Sequence, residues 1–126
     1  MSYTSVSHCG TDHSQWLKSI DFYKDDLITM EDRLLEIVKK NNSKEAMAGI
    51  EHFQNQFILQ RNNMHDLMHA IHEHDHRIAS EAKEHAGKVE TILASEHDNL
   101  KDQFESFEKI FNELRHEFNL FLSKWS

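Results

Sequence analysis

The chain has 126 residues, no proline, three glycines, one cysteine and a formal charge of −8. That length bounds a single domain with room for a real core, and the lack of turn-forming residues favours long helices over a β-sheet. The negative balance argues against nucleic acid or an anionic membrane as partner, since both need clustered Lys and Arg. The lone Cys9 cannot form an internal disulfide, and with no apolar run of spanning length the chain is expected to be soluble and cytoplasmic.

Residues 1–13 carry no clear periodicity and are expected to be an N-terminal segment ahead of one helical domain, 14–126. The first apolar stripe then runs Trp16, Ile20, Tyr23, Leu27, Met30, Leu34, Ile37. Steps of three and four mark the seam of a packed helix, expected over 14–40. Asn41 offers a stop. Asn42 with Glu45 has the spacing of a capping box that opens a second helix.

The second stripe, expected over 43–86, runs Ala46, Ile50, Phe53, Phe57, Gln60, Met64, Leu67, Ile71, His74, Ile78. Gly87 is a suitable C′ residue. The third, over 88–125, runs Leu93, His97, Leu100, Phe104, Phe107, Phe111, Leu114, Phe118, Phe121, Trp125. A break at Ser95 with Asp98 would instead give a four-helix bundle. Folding back at Asn41–Asn42 and at Gly87 pairs the seams at a constant sum of residue numbers, for example Leu27 with Phe57 and Phe57 with Phe118. An antiparallel three-helix bundle is therefore expected. Its second and third helices overhang the first by roughly 18 residues, about 27 Å. The N-terminal segment or a second copy of the chain must cover Ile71, Ile78, Ile92, Leu93, Leu100 and Phe104 there.

Histidine is the unusual feature. HDLMHAIHEHDH, residues 65–76, holds five of the eleven histidines. His65, His69, His72 and His76 fall within roughly 60° of one another, off the apolar seam, with Glu73 alongside. Two imidazoles at i and i+4 can grip one divalent ion, although a solvated polar face needs no such role. His74, His85 and His97 occupy seam positions instead, where a buried imidazole needs a partner for each ring nitrogen. The register also brings Cys9 and His13 level with Ile71 to Asp75, and His97 with Asp102 level with Glu73 to Ile78. Imidazole, thiol and carboxylate from three segments thus share one layer.

These residues bound two functional readings. One is a small non-enzymatic bundle working through protein–protein contacts or self-association, with a histidine-rich tip. The other is a metal-binding bundle for sensing, storage or delivery, with His65, His69, His72, Glu73, His76, His13 and His97 as candidate ligands. Imidazole with carboxylate suits a first-row transition metal (Zn, Ni, Co, Cu or Fe). His13, His69 with Glu73, His72 with His76, and His97 with Asp102 have spacings similar to those of hemerythrin-type iron bundles. The match is partial, because the two middle pairs interleave on one helix. Glu73 with His76 and Glu113 with His116 have the Glu-x-x-His spacing of di-iron bundles, but the register separates them by about 20 Å. No nucleophile elbow, phosphate loop or dinucleotide fingerprint is present, so no enzyme is expected.

Overall fold

A computed structural model describes residues 4–84, 88–89 and 91–126. Three long helices form an antiparallel bundle: α1 (Val6–Lys40), α2 (Lys44–Glu84) and α3 (Thr91–Trp125). Two short strands, β1 (Thr4–Ser5) and β2 (Lys88–Val89), pair antiparallel, with Thr4 opposite Val89 and Ser5 opposite Lys88. This pairing ties the start of the chain to the connection between α2 and α3. Among the described residues no helix is long and apolar enough to cross a membrane.

The seams pack as their periodicity predicts. Ile20, Leu27, Ile37, Ile50, Phe57, Ile71, Phe111 and Phe118 are buried in one continuous core. Phe57 and Phe118 meet edge to face at 5.1 Å, and Phe53 meets Phe118 at 5.2 Å. Tyr23 reaches across from α1, its ring 4.9 Å from Phe111 and its hydroxyl donating to Glu108 Oε2 at 2.6 Å. Edge-to-face and tilted aromatic pairs of this kind add to the burial energy of the rings themselves. Gln60 is the one polar residue of the seam in this half of the bundle, and it is buried.

The first reversal differs slightly from the expected cap. Ser43, not Asn42, starts α2: its Oγ accepts from the Ala46 amide at 3.2 Å, and its carbonyl accepts from Met47 N. The shorter hydroxyl satisfies a first-turn N–H that lacks an intrahelical acceptor. Asn41 closes α1 as expected. Its backbone and side-chain amides both donate to the Ile37 carbonyl, and the side chain also donates to Trp125 O. The second reversal lies between Glu84 and Thr91, and α3 runs unbroken through Ser95. Gly87 and His85 are outside the described residues.

The larger difference is at the start of the chain. Periodicity predicts the first helix from residue 14, whereas α1 begins at Val6. Its extra turns lie over the overhang of α2 and α3, and Cys9 is buried against Ile78 and Leu93. Ser7, Gly10 and Thr11 are weak helix formers, so burial of Cys9 and His13 holds these turns, as tertiary packing does for most helices. Residues 6–13 thus belong to α1, and Cys9 supplies cover for Ile78 and Leu93 while Ile92 stays exposed.

Candidate metal centre

Three histidines, one from each helix, meet in the layer below Cys9, Ile78 and Leu93. His13, His74 and His97 are each at most 4% exposed. One ring nitrogen from each lies within 4.8 Å of the other two. His13 Nε2 is 3.1 Å from His97 Nδ1 and 3.4 Å from His74 Nδ1. Below them Trp16 closes the layer, stacked on His97 at 5.0 Å and tilted against His13 at 5.2 Å.

The other nitrogen of each ring faces an oxygen. His13 Nδ1 donates to Asp75 Oδ1 at 2.6 Å, and His97 Nε2 donates to Asp12 Oδ2 at 2.8 Å. His74 Nε2 donates to the Leu93 carbonyl at 3.0 Å, with Glu96 Oε2 at 3.6 Å. Glu96 is itself paired with Arg77 at 2.7 Å. In neutral imidazole only one nitrogen carries hydrogen, and these acceptors assign it to the outward atom in all three rings. The inward atoms then carry three lone pairs within 4.8 Å of one another. An outward N–H held by a carboxylate or a backbone carbonyl is also the arrangement that orients histidines toward a metal ion.

Distances support that arrangement. A tetrahedral ion with metal–nitrogen bonds of about 2.0–2.1 Å sets its donors about 3.3–3.4 Å apart. Two of the three inward separations, 3.1 and 3.4 Å, lie near that value, and the third, between His74 and His97, is within 4.8 Å. Electrostatics point the same way. At His74, burial lowers the imidazole below its usual range, the Leu93 carbonyl and Glu96 oppose that, and His13 and His97 add to it. The ring is therefore held neutral, as a metal ligand must be. The Cys9 thiol is pushed up to about 11 by burial and by the nearby Asp12, Asp75 and Asp98 carboxylates. Carboxylates that disfavour a thiolate favour a cation in the same place.

Of the residues singled out from the sequence, the structure brings His13 and His97 together. It puts His65, His69, His72, Glu73 and His76 on the exposed outer face of α2. On that face His69 Nε2 lies 3.7 Å from Glu73 Oε2. Asp102 is also exposed, away from the buried layer. His74 reads from the sequence as a buried seam group but not as a partner of the ligand candidates. Its position between Ile71 and Ile78, in step with Cys9, His13 and Trp16 on the first helix, is the signal that identifies it. Asp12 and Asp75 adjoin His13 and His74 directly in sequence and carry no pattern of their own. The chain matches no known protein-family model, no curated protein and no solved structure.

Proposed function

We propose that this protein is a transition-metal-binding helical bundle. His13, His74 and His97 would hold one divalent first-row ion of the zinc or cobalt kind, for sensing, storage or delivery rather than turnover. The observation that carries the reading is the convergence of three buried imidazole nitrogens while the outward nitrogens donate to oxygen acceptors. A shared proton bridges only one pair of these inward nitrogens, whereas one metal ion engages all three. Full burial of the ligands favours retention of an ion over exchange with substrate. The self-association reading draws on an uncovered overhang; there Cys9 packs on Ile78 and Leu93, while Ile92 is 64% exposed.

Zinc added to chelator-treated protein tests this. At free zinc about 100-fold above the Kd, the melting temperature should rise by on the order of 10 °C. His74→Ala should abolish the rise, while His69→Ala on the outer stripe should leave it. A melting temperature that stays flat up to millimolar zinc removes the reading. Loss of the rise in His69→Ala alone would move the site to the outer face.

A further inference from the structure

We infer that Cys9 supplies a fourth ligand to the same ion, making a closed site of three imidazoles and one thiolate; this rests on the metal-binding reading above. The bundle stacks its side chains in layers. Cys9 precedes His13 by four residues on α1, Ile78 follows His74 by four on α2, and Leu93 precedes His97 by four on α3. Four residues are about one helical turn, so each histidine has one member of the Cys9–Ile78–Leu93 cluster directly above it. The three meet one another and are all buried.

An ion held by three nitrogens of one layer has its remaining coordination direction along the bundle axis. On one side the indole of Trp16 lies against both His13 and His97. On the other side are two aliphatic side chains and a sulfur atom. Among the described buried residues of these two adjoining layers, Cys9 carries the remaining metal-ligating atom; its Sγ lies outside the 4.8 Å group of the three inward nitrogens, so the thiol has to turn toward them when the ion binds. The geometry of α1 aids the approach, because Cα–Cβ bonds tilt toward the helix N-terminus and lean the His13 ring toward the level of Cys9. On binding, the S–H bond breaks, the metal–sulfur bond forms and the proton leaves to solvent, so one proton is released per ion. A borderline-soft set of three imidazole nitrogens and one sulfur selects zinc, cobalt or copper over magnesium, calcium or manganese, which prefer oxygen. With all four positions filled by protein, no position is left for substrate.

Cobalt(II) distinguishes the fourth ligand from the other three. Co2+ titrated into the full chain should give the intense visible bands of a four-coordinate ion together with a near-ultraviolet thiolate-to-metal charge-transfer band. Both should saturate at one equivalent. Cys9→Ala should keep one equivalent of Co2+ but lose the charge-transfer band. Its affinity should fall by more than the roughly 10–100-fold that removing an outer-shell partner costs. Cys9→Ser, nearly isosteric, controls for packing and should also lack the band. His74→Ala should lose both signals. Visible bands in the wild type without the charge-transfer band would overturn the thiolate ligand and leave the histidine site standing. No Co2+ signal of either kind, with no change in melting temperature, would overturn both.

Discussion

His13, His74 and His97 are the buried histidines among those described, and each turns one ring nitrogen inward. Among the three, His74 supplies the clearest handle on acid stability. Its folded pKa lies below the ordinary value of 6.5 because burial penalises the imidazolium, despite the Leu93 carbonyl and Glu96. Below pH 6.5 the unfolded chain therefore takes up a proton that the folded chain resists. The stabilising contribution is complete above 6.5 and drains away as pH falls below it. The groups facing His74 are His13, His97 and Glu96, with Asp12, Asp75 and Arg77 behind them. Metal-free protein should therefore lose melting temperature between pH 7 and pH 5.5, and His74→Phe should flatten that slope. Equal slopes in the two proteins would contradict burial of a neutral His74. At this scale the sequence is half legible. Seam position marks His74 and His97 as buried. The denser run of imidazoles on the outer flank of α2 draws the ligand assignment, because i, i+4 spacing is visible in a string and convergence of three helices is not.

The first turns of α1 carry Cys9, Asp12 and His13, and so one proposed ligand, one hydrogen-bond acceptor and the inferred thiolate depend on a segment with poor intrinsic helicity. Apolar periodicity alone starts the stripe at Trp16, since neither cysteine nor histidine counts as an apolar marker. Read as seam positions, Cys9, His13, Trp16 and Ile20 continue the same four-three-four step. Gly10 offers a direct test of the segment. It is exposed within the helix, and a Cβ built there meets nothing within 4 Å. Gly10→Ala removes backbone freedom from the unfolded chain without a steric cost, and should stabilise the protein by about 0.5–1 kcal/mol. The melting temperature should rise by a few degrees, and zinc should still raise it further. A fall in melting temperature would show that residue 10 is not an open helical position and would detach these turns from the site. The caps are legible to within one residue. Asn41 ends α1 as its side-chain chemistry implies, and Ser43 rather than Asn42 opens α2 because either residue suits an N-cap.

Across the whole molecule the register of the seams is the most legible feature. Apolar residues repeating every three and four positions admit one antiparallel fold-back without stranding Ile50 to Phe57, and the Phe57–Phe118 pair it implies is present at 5.1 Å. The same register divides the bundle into two unlike halves. At one end Leu27, Ile37, Ile50, Phe57, Phe111 and Phe118 pack in the apolar core. At the other, a layer of imidazoles sits between Trp16 and the small Cys9–Ile78–Leu93 cluster. Burial of apolar area stabilises the first half whatever the solvent holds. The second half keeps imidazoles whose inward atoms carry lone pairs, so under the proposed function its local stability is coupled to cation binding. Opening free energies need not be uniform along long helices, and ligand binding raises only those openings that break the site. Hydrogen exchange on chelated and zinc-loaded protein should therefore separate the halves. Backbone amides near residues 9–20, 70–80 and 93–101 should slow by at least about tenfold with zinc, a change of about 1.4 kcal/mol. Amides near 27–37, 50–60 and 111–120 should change far less, except where their exchange already requires global unfolding. Uniform slowing along all three helices would mean that the histidine layer opens only with the whole bundle. No slowing anywhere would mean that the layer holds no ion.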